Sequence, residues 1–510
     1  MLKEMFQVIK KRKQKPLSMQ QQLVGEQTEL KEQSISSDLE ENFQTLKKLF
    51  HIPKNNDVKV RELYIEGLNK KACLLFISTI SDVKSIEENI LKPLLTNKSG
   101  KEIKEIVSIQ AVTEIHLFKD AVKNLNQGNT VLLIDGCSQG FAMDCPNFQG
   151  RTIEKPNTEI LIKGPKEAFI EKVDVNISLV RKKIKDENLV VESIDVGARS
   201  KSEVYILYID DLANDKLVEN IKNRLNRLDV NSIQNLSLLE EYIEERSYSL
   251  FPSILSTERP DRAATFLEDG YIVLLMDNSP DCLVLPATFW SFFHSPEDHY
   301  LRFLYGNFTR ALRMAAMFIT VFTSAIYIAI TAYHAEMIPS ELMLAIAASR
   351  EKVPFPAVVE ILMMEFAFEL IREAGLRVPS PIGPTIGIVG ALILGQAAVQ
   401  ANIISPIVII VAALSGLSSF AVSDISLNFA VRLIRFMFIL FSAIMGIYGM
   451  TAFFVAGLYY MVSIKSYGVP YLAPMSPSYK SSSDTIFRRL LRNEKFRPGF
   501  LKPSDLQKKQ

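Results

Sequence analysis

The sequence is poor in the residues on which catalytic and metal-binding sites usually depend. It holds four cysteines, five histidines and one tryptophan in 510 residues. Cys73, Cys137, Cys145 and Cys282 form no C-x-x-C pair, which excludes zinc-ribbon spacing and a disulfide scaffold. Four reduced thiols in a cytosolic region are the expectation. The histidines are scattered, so no metal site is expected. There is no G-x-x-x-x-G-K-[ST], no G-x-G-x-x-G, no H-E-x-x-H and no G-x-S-x-G, so the motifs for phosphate binding, zinc hydrolysis and serine hydrolysis are missing. Asp135-Gly136-Cys137 reads as a turn after a strand, not as a catalytic thiol. No enzyme, no cofactor and no nucleic-acid partner is expected. The most informative absence is charge. Residues 378–423 and 436–464 contain no Asp, Glu, Lys or Arg, although 23% of the chain is charged. The net charge of +1 sums over a segregated chain and says little about partners.

What is present divides the chain. Residues 1–40 are a basic, polar tail that begins with Lys3, Lys10, Lys11, Arg12, Lys13 and Lys15. No apolar run of signal length follows, so a secretion signal is not expected. Such a tail is either solvated or a weak hold on anionic lipid, worth about 1 kcal/mol per basic residue at the surface. From Leu39 the apolar residues Leu39, Phe43, Leu46 and Phe50 recur at helical spacing. Strand-like runs at 58–65, 72–80, 130–135, 160–162, 189–196, 203–209 and 272–276 alternate with helical patterns at 85–95, 166–185, 215–228 and 237–247. This alternation predicts an α/β or α+β region of two subdomains, 41–165 and 166–300.

Residues 301–465 then read as an all-α membrane domain. Uncharged stretches at 314–333, 381–399, 403–422 and 436–464 are the expected spans, since about 20 residues at 1.5 Å each match one hydrocarbon thickness. Gly383, Gly387, Gly390 and Gly395 place small residues along the second span, as a helix packed closely among others requires. A basic tail, 466–510, follows, with Pro470, Pro474 and Pro477 ending the last helix. Basic residues at both flanks put both termini on the cytoplasmic side and call for an even number of crossings.

Residues 355–373 do not fit this count. They form an amphipathic segment with Glu360, Glu365, Glu369, Arg372 and Glu373. Glu365, Glu369 and Glu373 share one helical stripe, and lipid cannot accommodate it. The stripe must face water, cations or a basic partner. We read the segment as an interfacial or re-entrant helix on the outer side. Its acidic stripe is either a solvated face or one element of a carboxylate ring at a pore mouth, tempered by Arg372 and Arg377.

Three long blocks are recognisable: 151–181 (RTIEKPNTEILIKGPKEAFIEKVDVNISLVR), 257–300, which opens on Thr257-Glu258-Arg259-Pro260-Asp261, and 353–390 (VPFPAVVEILMMEFAFELIREAGLRVPSPIGPTIGIVG). In these, and from about residue 45 to 478, the chain resembles the A subunit of the GerA-type spore nutrient-germinant receptors. The resemblance implies a subunit in the inner membrane of the bacterial spore, with its termini on the core side. It implies partnership with a transporter-like B subunit and a lipoprotein C subunit. It also implies self-association, as a pentamer, into a ligand-gated channel that releases monovalent cations and starts germination. A non-conducting scaffold or signal transducer is the competing class. A secondary transporter is a third, without support from inverted repeats, because the 381–400 pattern has no second copy. Arg259 is expected to form a structural ion pair with a nearby acid.

Overall fold

The computed structural model describes residues 27–98, 100–148, 156, 159, 161–376, 383–481 and 485–508. The basic tail up to residue 26, most of 149–160 and Arg377 lie outside the described residues. The expected strand at 160–162 does not form where it is described: Leu161 and Ile162 are irregular, and Ile162 is exposed.

The first subdomain opens with α1 (Leu39–Leu49), capped by the Asp38 carboxylate, which accepts from the Glu40 amide. It continues through β1 (Val58–Ile65), β2 (Lys70–Ile77), β3 (Val112–Ile115), α2 (Phe118–Asn126), β4 (Thr130–Ile134) and β5 (Gly140–Met143). The strands form an antiparallel sheet in the order β1-β2-β4-β5-β3. The second subdomain repeats this. After α3 (Val173–Lys183) come β6 (Leu189–Val196), β7 (Ser202–Ile209), α4 (Asp215–Asn226), α5 (Leu236–Ile243), β8 (Leu255–Thr257), α6 (Pro260–Glu268), β9 (Ile272–Met276) and β10 (Cys282–Leu285). Their order, β6-β7-β9-β10-β8, is that of the first sheet.

Details recur as well. Helices α2 and α6 are followed by Gly128 and Gly270, at φ 88 and 89, which turn the chain into the Val131–Ile134 and Val273–Met276 core strands. Asp135 Oδ1 then accepts from the Leu39 amide at 3.5 Å, and Asp277 Oδ1 from the Val173 amide at 2.9 Å. Asn42 clasps the backbone of Ser36 as Asn176 clasps that of Ile170. The soluble region is one fold used twice.

The two copies are joined by a buried ion pair. Arg181 of α3 donates from Nε to Asp57 Oδ2 at 2.7 Å and from Nη2 to Asp57 Oδ1 at 2.8 Å, and it also reaches Asn55 and the Leu189 carbonyl. Arg181 is 2% exposed and Asp57 5%. Removing one member of such a pair strands the other charge. Arg181→Ala is therefore expected to cost about 3–5 kcal/mol. Thermal unfolding of the purified chain and proteolytic nicking between the subdomains check this; an unchanged melting curve would contradict it.

The helical region is a bundle whose runs can be followed by their contacts. α7 (Phe303–Tyr333) leaves the second subdomain. α8 (Ser340–Arg350) is a short helix at the far end with no buried residue. α9 (Ala357–Leu376) comes back: Glu360 lies by Ser405 and Arg372 by Ser419, so it runs parallel to α11 (Pro406–Ser419). α10 (Gly383–Gln400) connects them, with Gly395 against Ile409 and Gly390 against Ile371. The packing of Gly383 and Gly387 lies outside the described residues. α11 returns to the soluble side, where Ser423 lies at 3.5 Å from the Phe292 carbonyl.

α12 (Ile425–Ser463) is 39 residues long but is not one rod. Gly446 has φ 60 and ψ −138, and there the chain doubles back. Phe438 meets Phe453 edge-on and Phe441 stacks on it, with ring centroids 4.8 and 4.7 Å apart, though an unbroken helix would separate these residues by about 18 Å or more. Its first half runs parallel to α7, with Phe322 on Phe438 and Ser442 Oγ donating to the Ala325 carbonyl at 2.6 Å. Its second half returns to the soluble side, where Tyr460 meets Phe251 and Arg246 binds Ser463.

Three expectations are corrected here. The stretch 436–464 is part of a helical hairpin and not a single long span. The segment 355–373 is no surface helix: Glu360, Ile361, Met364 and Glu365 are at most 1% exposed inside the bundle. The closing segment is not a separate tail either. Tyr471, Ala473, Phe500 and Leu501 join the core of the second subdomain, and β11 (Lys465–Ser466) and β12 (Val469–Pro470) form a hairpin on it. Tyr467 OH donates to the Ile243 carbonyl at 2.9 Å, and Asn214 to that of Leu501 at 3.0 Å.

Candidate functional site: a charged cluster inside the helical bundle

The apolar helices enclose a polar interior. Thr320, Ser324, Ser415, Ser419 and Ser442 are fully buried, and their hydroxyls bond to backbone carbonyls or to the charges between them. Among them stand the carboxylates of α9. Glu365, fully buried, accepts from Ser324 Oγ at 2.6 Å and lies 2.9 Å from Arg435 Nη1. Glu369 Oε1 accepts from Arg435 Nη2 at 2.7 Å and from Arg432 Nε at 3.1 Å, and its second oxygen contacts Arg432 Nη2. Arg435 itself is fully buried and also donates to Ser415 Oγ at 3.2 Å. A turn further along, Arg372 donates to Ser419 Oγ at 2.6 Å and to the Gly416 carbonyl. At the other end Glu360 is held by Arg350 at 3.2 Å and by the Ser405 amide at 2.8 Å.

The acidic stripe therefore does not stand open. Glu365 and Glu369 face arginines of the same chain, and Glu373, at the end of the stripe, is exposed. The reason is electrostatic. Two carboxylates one turn apart in a medium of low polarity repel strongly unless cations come between them, and bidentate guanidiniums do this best. Arg432 and Arg435 are the partners of the acidic stripe, and the sequence alone did not single them out. They precede the uncharged stretch 436–464 and look like its flanking charges. Their i, i+3 spacing, which puts both on one helix face, was the available signal.

In the soluble region, Arg259 Nη2 lies 3.0 Å from Asp261 Oδ2 and donates to the Pro165 carbonyl at 2.7 Å, with both side chains buried. Tyr300 OH donates to the same Asp261 oxygen at 2.6 Å. Nearby, Arg262 binds Glu159 at 2.7 Å and the carbonyls of Ser291 and His294. Arg310 binds Asp298 at 2.7 Å, and Arg313 contacts it too. These pairs tie the linker and the base of α7 to the second sheet. Burial raises the thiol of Cys73 to about 12 and that of Cys145 to about 11, which makes both poor nucleophiles. Among the described residues, no three His, Cys, Asp or Glu side chains are placed to hold a metal ion.

Residues 44–500 match the family described as Bacillus/Clostridium GerA spore germination protein. The chain is similar to spore germination protein KA of Bacillus subtilis (strain 168), 37% identical over 466 residues that cover 89% of this chain and 85% of that protein. It is 34% identical to spore germination protein B1 of the same organism over 478 residues, 92% of this chain and 99% of that protein. The crystal structure of the N-terminal domain of the A subunit of the Bacillus megaterium spore germinant receptor GerK3 is 27% identical with a TM-score of 0.40, and covers 50% of this chain and 98% of that one. The chain belongs to the GerA family of spore germination proteins, the family that its three sequence blocks resemble.

Proposed function

We propose that the chain is the A-type subunit of a spore nutrient-germinant receptor and that several copies form a ligand-gated channel for monovalent cations in the spore's inner membrane. A transporter-like B subunit and a lipoprotein C subunit complete the receptor, and nutrient binding to the complex opens the channel. One observation carries this reading: Glu365 and Arg435 are fully buried in the helical bundle, and the half-buried Glu369 and Arg432 complete the cluster with them, beside long stretches that hold no charge. Ionisable groups are costly inside a bilayer and mark ion pathways there.

In this mechanism the closed subunit keeps its carboxylates neutralised by α12. A shift of α12 against α9 frees Glu369 toward an aqueous axis shared by the copies, where a ring of carboxylates favours cations over anions. The same pairing favours the second reading, a non-conducting transducer, in which the cluster is a structural tie between α9 and α12.

The paired variant E369Q/R432Q separates the two. It removes one charge of each sign and keeps hydrogen-bonding groups in place. In spores that carry this receptor alone, nutrient-triggered potassium release is expected to slow by about ten-fold at an unchanged receptor level. Release at the normal rate would leave the cluster a structural tie and favour the transducer.

A further inference from the structure

A surface feature sits where α7 meets the closing segment. α7 has 31 residues, about 46 Å, which exceeds a hydrocarbon layer of about 30 Å by some ten residues. Arg310 and Arg313, anchored on Asp298, fix which end is in excess, because the uncharged stretch begins after them. That excess of nearly three turns is nevertheless apolar on its outside: Leu304 is 80% exposed, Tyr305 56%, Phe308 62% and Leu312 56%.

The segment 485–492 lies alongside it. Asn307 and Arg488 exchange two hydrogen bonds, Arg488 N to Asn307 Oδ1 at 2.8 Å and Asn307 Nδ2 to Arg488 O at 3.3 Å, and the Arg488 guanidinium stands over the Phe303 ring. This clamp ties to α7 the segment that carries Phe487, Leu490 and Leu491, all exposed. Arg302, Arg489 and Arg492 are exposed in the same region. Between residues 485 and 497 the sequence has five basic residues and one acid, Glu494.

We infer that α7 residues 304–312 and the segment 485–492 form a collar that binds anionic lipid headgroups at the membrane face next to the soluble region. Large apolar side chains reach the acyl boundary, Tyr305 sits at headgroup level, and the arginines meet the lipid phosphates. A bilayer surface fits this patch better than a second copy of the chain, because a like collar would set basic segments against each other. Continuity with the uncharged stretch of α7 places the patch at that depth. The inference rests on the membrane placement proposed above.

The test uses the full chain in lipid nanodiscs of phosphatidylcholine alone or with phosphatidylglycerol, read by amide hydrogen exchange over 485–492. Exchange is expected to slow by about ten-fold in the anionic discs, to recover at high salt, and to be insensitive to lipid charge in R489Q/R492Q. Equal protection in both lipids, or protection that tracks a change of oligomer mass, would overturn the inference. A chain that does not enter the discs at all would refute the membrane placement itself.

Discussion

Replacement of Arg435 by alanine is expected to be the most damaging single change in the helical region. Arg435 is fully buried, and one guanidinium serves two carboxylates, Glu365 at 2.9 Å and Glu369 at 2.7 Å. The alanine variant leaves Glu365 without its cation in a place that water does not reach. Breaking a buried pair in this way costs about 3–5 kcal/mol, a large part of the stability of most domains. The expected result is a drop of several-fold or more in the level of the chain and in its purified yield. Glu369 loses less, because Arg432 still holds it at 3.1 Å. The effect is therefore not uniform. Adding Glu365→Gln to Arg435→Ala should restore part of the yield, since it removes the charge that was stranded. A double variant no better than Arg435→Ala would show that the guanidinium acts through packing and not through charge.

Gly446→Leu is expected to do comparable harm by a different route. Gly446 adopts φ 60, and a Cβ there would stand 3.0 Å from the Tyr333 side chain. The backbone at φ 60 and ψ −138, close to a region open essentially to glycine alone, costs another residue about 1–3 kcal/mol, and the crowding against Tyr333 adds overpacking of about 1–3 kcal/mol. Gly449 completes the reversal, since a Cβ on it would lie 2.3 Å from the Phe441 carbonyl oxygen. Straightening α12 would carry residues 447–463 away from the soluble side and pull β11 off the second sheet. Cysteines introduced at positions 455 and 462 report this: in the parent chain position 462 lies at the soluble end of the bundle, and in Gly446→Leu its labelling from that side should fall. Unchanged labelling with normal yield would contradict the hairpin.

The helical region shows how far charge counting reaches. The uncharged stretches 314–333, 381–399 and 403–422 fall on α7, α10 and α11 because hydropathy alone selects them. The reversal at Gly446 carries no such signal, since glycine is ordinary in apolar helices. Nor could α9 be recognised as an inner helix, because its charges are acceptable only beside Arg432 and Arg435, and Glu369 and Arg435 are 66 positions apart in sequence. Adding α9 and dividing α12 changes the four expected runs into six helical runs. In the soluble region the strand runs were legible from their apolar residues, but the duplication was not. Val131–Ile134 and Val273–Met276 share a pattern, each is followed by an aspartate that caps the subdomain's first helix, and most other positions have diverged. The collar of the closing segment was hidden for a related reason: a basic stretch reads as solvated until its contact with Asn307 is known.

Conduction is the claim that most needs a direct measurement. The purified oligomer, fused into a planar bilayer between unequal potassium chloride solutions, should pass current that reverses near the potassium equilibrium potential once nutrient and the partner subunits are present. A bilayer that takes up the complete complex and passes no nutrient-dependent current, or current that reverses near the chloride potential, would contradict it.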